Sequence, residues 1–188
     1  MWRFVEIGGG SPDVSGTCPL AVRASCADLD AWDRVRSLRA AQPWRVVAAC
    51  GTEPGLKQRA SVAGCQAWGS RDQIAALEPT CLQDRPLFWY DIEGGVTTVY
   101  YRAVVNDDAS FAWFCDVVRA HALEMRERED RKFALLVDLE GLSLARTYSD
   151  EYREKVVSWL LAEHVTRVAR YGGTRKTCGV VAMEQIRD

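Results

Sequence analysis

The sequence lacks any run approaching the roughly 18 consecutive apolar residues of a membrane span, so no transmembrane helix is expected. Its start, MWRFVEIGGG, lacks a basic segment followed by a long apolar run, so no signal peptide is predicted. It also lacks basic excess: residues 1–85 carry 10 Lys and Arg against 9 Asp and Glu, and residues 86–188 carry 14 against 17. Neither half resembles a protein that competes for nucleic-acid phosphates, so nucleic acid is not an expected partner.

Cysteine is present, but not in the patterns that bind zinc or form a disulfide framework. The seven cysteines are an odd number and include no CxxC pair. Without a secretion signal they are expected to be reduced thiols, which predicts a cytoplasmic location. The two histidines do not accompany carboxylates at metal-ligand spacing, so the sequence predicts no metal site and no cofactor.

The first half of the chain predicts an α/β segment. Short apolar runs indicate strands at 2–7 and 44–50, and apolar residues at spacings of three and four predict a helix over 25–42 between them. The best candidate for a domain boundary is Asp84-Arg85-Pro86. It divides the chain into an N-terminal segment of unknown type, 1–85, and a second domain, 86–188.

The second half has the sharper pattern, with the predicted order β-β-α-β-α-β-α. Two β-rich runs flank Gly94-Gly95, which indicates a hairpin. A long helix is predicted up to Glu129, with one apolar stripe formed by Phe111, Phe114, Cys115, Val118, Ala122 and Met125. The run at 124–132 is charged, as is typical of a solvated helix end. The apolar run at 132–139 indicates a buried parallel strand, so the fold class is α/β, a mixed sheet with parallel βαβ units and packed helices.

Two passages of this half, LLVDLEGLS and SWLLAEHVTRVARYGG, carry a family likeness. With the elements around them they resemble the bacterial STAS superfamily, and especially its SpoIIAA-like branch, which is related to CRAL-TRIO lipid-transfer domains. The likeness covers roughly residues 86–188. It implies a STAS-like C-terminal half that acts as a bacterial binding or signalling module and not as a catalyst.

The resemblance also implies a set of partner-binding or phospho-switch candidates, namely Asp138, Arg146, Thr147 and Ser149. In the anti-sigma-antagonist branch, the strand Asp precedes a loop in which a partner kinase phosphorylates Ser or Thr. This sequence departs from that pattern, since Arg146 stands where the branch has Asp and Ser149 where it has Gly. Thr147 and Tyr148 replace a Ser-Ser pair.

Read from the residues alone, Asp138 has two interpretations. A carboxylate at the carboxyl end of a parallel strand lies where open α/β sheets bind ligands. An Asp that leaves a strand also commonly accepts hydrogen bonds from the amides of the following turn. An enzyme that uses Asp138 in a cleft is the least favoured hypothesis.

The passage YGGTRKT resembles a phosphate-binding loop in part. Arg175 stands where such a loop requires Gly before its Lys. A turn with cationic residues is therefore the preferred interpretation, and Arg175 and Lys176 remain candidates for contact with an anionic ligand or a partner.

Together these observations predict a non-enzymatic regulatory or protein-interaction module that docks a partner around the loop 140–150. The alternative is a protein that binds a lipid or another small apolar ligand, because the aromatic residues between 88 and 114 could line a pocket or fill a core. A homodimer is an open possibility.

Overall fold

The computed structural model of the protein describes residues 1–7, 16–129 and 131–172. The chain forms two compact units, Met1–Trp89 and Tyr90–Asp188. Strands β1 to β4 form one sheet and strands β5 to β9, which begin just before the break, form another. Helices accompany both sheets, so the predicted α/β class is confirmed.

The N-terminal unit is built on a parallel sheet whose spatial order, β1-β2-β3-β4, follows the chain. As a result, all four strands point their carboxyl ends to the same edge of the sheet. The elements are β1 (Arg3–Glu6), β2 (Leu20–Arg23), α1 (Leu29–Ala41), β3 (Val47–Cys50), α2 (Leu56–Val62), β4 (Ala67–Gly69), α3 (Arg71–Ala75) and a 3₁₀ turn (Pro79–Leu82).

Both faces of this sheet are covered. Leu20, Val22 and Val47 belong to one apolar cluster, which includes Trp32 of α1. The alternate strand residues belong to a second cluster with Ile74 of α3. Burial on both faces explains why β3 has no polar residue, because a strand covered on both sides has no solvent-facing position.

A buried arginine holds together the loops at the amino-terminal edge. The guanidinium of Arg39 donates hydrogen bonds to the carbonyl oxygens of Gly64 (3.0 Å), Pro43 (3.1 Å) and Arg45 (2.6 Å). It also donates to Oε1 of Gln66 at 2.8 Å. The planar fork of donors suits this role, since one side chain fixes several carbonyls that would otherwise be buried without partners.

The C-terminal sheet has the order β5-β6-β7-β9, and β8 pairs with β6. The pairs β6–β7, β7–β9 and β6–β8 are parallel. The elements are β5 (Leu87–Glu93), β6 (Val96–Val105), α4 (Asp108–Glu129), β7 (Phe133–Asp138), β8 (Leu142–Leu144), a 3₁₀ turn (Arg146–Tyr148), α5 (Ser149–Tyr152), two π-helical turns (Arg153–Val157 and Leu160–His164) and β9 (Val165–Tyr171).

The hairpin predicted between β5 and β6 is present. Gly94 and Gly95 form its two-residue connection, with φ angles of 58° and 79°. Two consecutive positive φ angles are the geometry of a type I′ turn, which glycine adopts without steric cost.

Helix α4 confirms the predicted apolar stripe, since all six of its residues are buried. The prediction that the charged run 124–132 is a solvated helix end is wrong at its first residue. Glu124 is buried, accepts a hydrogen bond from the Tyr90 hydroxyl, and lies 3.4 Å from the guanidinium of Arg128. A charged residue with these partners can occupy the core side of a helix, and sequence periodicity does not report such partners.

Strands β7 and β8 lie one after the other along β6. Residues 96–99 of β6 pair with β7, and residues 103–105 pair with β8. At the interruption, Gly141 accepts a hydrogen bond from the amide of Ala103 at 3.0 Å. A β-carbon at Gly141 would lie 1.9 Å from the carbonyl oxygen of Tyr101, so only glycine fits this approach.

Candidate functional site

The structure places four of the predicted site residues on one short stretch of the C-terminal unit. Asp138 ends β7, Arg146 begins the 3₁₀ turn after β8, Thr147 follows it, and Ser149 begins α5. The predicted ligand contacts Arg175 and Lys176 lie outside the described residues. The stretch 138–149 is therefore the candidate site that follows from the sequence.

Asp138 is occupied by contacts within its own unit. Its Oδ1 accepts a hydrogen bond from the amide of Glu140 at 2.8 Å. Its carboxylate is also hydrogen-bonded to the hydroxyl of Tyr171, which in turn contacts the hydroxyl of Tyr100. Burial, and after it the bond to Asp138, raises the pKa of Tyr171 to about 12, so this phenol remains a neutral donor. Asp138 thus joins the ends of β7 and β9.

The turn after β8 is fixed on both sides. The amide of Ala145 donates to the carbonyl oxygen of Val105 at 2.9 Å. The ring of Tyr148 stacks on Phe111 with a centroid separation of 4.7 Å, and its hydroxyl donates to Oδ1 of Asp108 at 2.9 Å. Tyr148 thereby attaches the turn to the first turn of α4.

Thr147 lies between these two attachments and is exposed. In the preceding strand β8, Leu142 and Leu144 are buried and Ser143 is exposed. The leucines hold the segment to the core, while the hydroxyl-bearing side chains at 143 and 147 face solvent. A partner protein or a modifying enzyme can reach Thr147 without unfolding of the turn.

Sequence reasoning missed a second candidate site, a cleft of about 540 Å³ at the carboxyl edge of the N-terminal sheet. Each strand contributes to it at or just after its last residue: Glu6 from β1, Arg23 from β2, residues 51–53 after β3, and residues 70–71 after β4. The sequence contained one usable signal, the polar residues that follow short apolar runs. Strands β2 and β4 were not predicted, so their ends could not be brought together.

Four of the aromatic residues that suggested an apolar ligand, Tyr90, Tyr101, Phe111 and Phe114, are buried in the core of the C-terminal unit. Tyr101 and Phe114 pack with ring centroids 5.4 Å apart, and Phe114 packs on Tyr152 at 4.9 Å. The cavity beside them measures about 30 Å³, which is roughly the share of liquid volume taken by one water molecule. In this conformation it has no room for a lipid.

Two negative findings apply to the described ranges 1–7, 16–129 and 131–172. No group of three or more His, Cys, Asp or Glu side chains is arranged there to hold a metal ion. No helix in those ranges combines the length and apolar character that crossing a membrane requires.

Comparisons with protein-family models, curated proteins and solved structures found no match for this chain.

Proposed function

We propose that the protein is a non-enzymatic regulatory module of STAS-like type that docks a protein partner on the surface formed by residues 140–150. The observation that supports this most directly is the exposed Thr147 on a turn held by Tyr148 and Ala145. A surface held in one conformation loses little conformational entropy when a partner binds, which favours specific docking.

The contacts of Asp138 support a structural part for it in this proposal. Its carboxylate accepts hydrogen bonds from the amide of Glu140 and from the hydroxyl of Tyr171, which fix the turn from which the docking surface starts. The apolar-ligand alternative gains no support from the small cavity in the same unit.

Phosphorylation of Thr147 would act as a switch through charge. A phosphate adds about −1.5 to −2 charges at neutral pH. Tyr148, the next residue, already lies within electrostatic range of the carboxylates of Asp107, Asp108 and Glu151. A further anion beside them repels Asp108 and loosens the Tyr148 attachment, so we expect the modified form to lose its partner.

The test is quantitative affinity capture from host lysate, followed by mass spectrometry, with the whole chain as bait. Thr147→Asp should lose at least one protein that the unmodified chain enriches. Thr80→Asp is the matched control, because Thr80 is an exposed threonine of the N-terminal unit in another 3₁₀ turn.

An identical set of enriched proteins with both variants would contradict docking at this surface. Intact-mass measurement of protein purified from its host then tests the switch separately. A phosphate on Thr147 supports the switch, and phosphate only at other positions argues against it.

A further inference from the structure

We infer that the cleft of the N-terminal unit binds a small organic anion, a phosphate ester or a carboxylate, through Arg23 and Arg71. The inference is independent of the docking proposal, since it concerns only residues of the unit Met1–Trp89. It rests on the position and size of the cleft, on the bonding of its charged groups, and on the apolar residues in its lining.

The position and size of the cleft suit a metabolite. Ligands of open parallel α/β sheets bind beyond the carboxyl ends of the strands, where the chain leaves the sheet in loops. This cleft lies at that edge and takes residues from all four strand ends. Its volume of about 540 Å³ falls within the roughly 300–1,000 Å³ that is usual for small-molecule sites.

The two arginines carry the positive charge of the cleft. Arg23 ends β2 and Arg71 begins α3, directly after β4, and both side chains are exposed. Arg71 lies over the ring of Phe4, with its guanidinium carbon 4.6 Å from the ring centroid. A cation–π contact of this kind occupies no hydrogen-bond acceptor, so it leaves N–H groups of the guanidinium for other partners.

Within the described part of the chain, neither guanidinium donates a hydrogen bond to another residue. The structure shows a cation–π contact for Arg71 and an electrostatic effect of Arg23 on Glu53. A guanidinium fork matches the oxygens of a phosphate or carboxylate and binds them with charge-assisted hydrogen bonds. These two donors are therefore available to an anion from outside.

Glu53 is a carboxylate of the cleft lining that lies within electrostatic range of Arg23, and its own hydrogen bonds come from the backbone and a serine. Its Oε2 accepts hydrogen bonds from the amide of Cys26 at 2.8 Å and from Oγ of Ser25 at 3.3 Å. The bond from the Cys26 amide lowers the pKa of this carboxyl, which remains ionised at neutral pH. Glu53 thus ties the loop after β2 to the loop after β3 and closes one wall of the cleft.

The rest of the lining favours a ligand with an organic body over a bare ion. Val5, Ala21 and Leu56 add apolar surface to the lining of the cleft. Glu6 is an exposed carboxylate on its rim, and it would attract hydroxyl or amino groups and repel a second anion. The expected ligand therefore carries its negative charge toward the arginines and neutral donors toward Glu6.

Isothermal titration calorimetry on the full chain, with thermal unfolding in parallel, tests the inference. The probes are adenosine monophosphate, adenosine, 4-hydroxybenzoate and inorganic phosphate. We expect adenosine monophosphate or 4-hydroxybenzoate to bind and to raise the unfolding temperature, and adenosine to bind at least about tenfold more weakly than its phosphate. Binding of the nucleotide assigns the phosphate class, and binding of 4-hydroxybenzoate alone assigns the carboxylate class.

The Kd of the bound anion should rise about tenfold or more in Arg23→Gln and in Arg71→Gln, and stay unchanged in Arg34→Gln. Arg34 is an exposed arginine of α1 that does not line the cleft. If Arg71→Gln lowers the stability of the unit through the lost contact with Phe4, Arg23→Gln still tests the site. The inference is overturned if no anion binds, if both variants bind as the parent does, or if inorganic phosphate binds as tightly as its ester.

Discussion

Gly141→Ala is the substitution that most directly tests how the docking surface is built. A β-carbon at this position would lie 1.9 Å from the carbonyl oxygen of Tyr101 and 3.0 Å from its carbonyl carbon. Ordinary contacts begin at 3.4 Å, so one of the two backbones must move by roughly 1.5 Å. Tyr101 belongs to β6, which is flanked on both sides, so we expect β8 to move.

The expected loss of stability in Gly141→Ala depends on the contacts that hold β8 in place. A small shift that breaks the bonds from Ala103 N to Gly141 O and from Ala145 N to Val105 O costs about 2 kcal/mol. Full detachment also exposes Leu142 and Leu144, which are 5% and 8% exposed, at about 1.5–3 kcal/mol each. We therefore expect a loss of about 2 to 8 kcal/mol in the free energy of unfolding.

Urea unfolding followed by circular dichroism measures the total loss, and hydrogen exchange of peptides over 139–148 locates it. Gly94→Ala is the matched control, because nothing lies within 4 Å of its β-carbon position. The positive φ of Gly94 alone should cost about 1 kcal/mol. The reasoning is wrong if Gly141→Ala costs no more than this control and leaves exchange over 139–148 unchanged.

Three further substitutions test other parts of the two units. Arg39→Lys keeps the charge but not the donor fork, so urea unfolding should show a loss of about 2–4 kcal/mol, against less than about 0.5 kcal/mol for the exposed Arg34→Lys. Hydrogen bonds lower the pKa of Glu53, so its stabilisation is present above the ordinary value near 4.5 and is lost as the pH falls through the folded value. The melting temperature of Glu53→Gln should therefore lie below that of the parent at pH 7, and the difference should shrink as the pH falls further below 4.5. The bond to Asp108 raises the pKa of Tyr148, so Tyr148→Phe should melt at a lower temperature than the parent at pH 7. This difference should disappear as the pH rises through the raised pKa of Tyr148. For Glu53 and for Tyr148 alike, a difference in melting temperature that does not change with pH would contradict the proposed hydrogen bond.

The elements that could be predicted from sequence are those whose signal is long or local. Helix α4 repeats one apolar stripe over 22 residues, which leaves little ambiguity about its period. The hairpin at Gly94-Gly95 depends on a two-residue signal that determines its own backbone geometry. Strand β7 was recognisable because its apolar run is bounded by polar residues on both sides.

The elements that were missed are short and depend on distant partners. Strands β4 and β8 have three residues each, too few for any alternation to appear, and β2 has four, whereas the equally short β1 and β3 lie within the longer apolar runs 2–7 and 44–50. The missed segments become strands by pairing with segments far away in the chain, as β8 does with β6. The same limit applies to the sites, because the bond between Asp138 and Tyr171 joins residues that no local pattern connects.

The carboxyl edges of the two sheets differ, and each of the two proposed functions belongs to one of them. In the C-terminal unit, Asp138 at the end of β7 is bonded to Tyr171 and to the amide of Glu140 in its own turn. In the N-terminal unit the equivalent edge has a cleft of about 540 Å³ that is lined by two arginines.

If the two proposed sites are independent, Thr147→Asp leaves the affinity for the anion unchanged, and Arg71→Gln leaves the capture of the partner unchanged. If they are coupled, the factor by which the anion changes the affinity for the partner must equal the factor by which the partner changes the affinity for the anion. Measuring both factors distinguishes a sensor, in which ligand binding controls docking, from a chain that carries two separate binding functions.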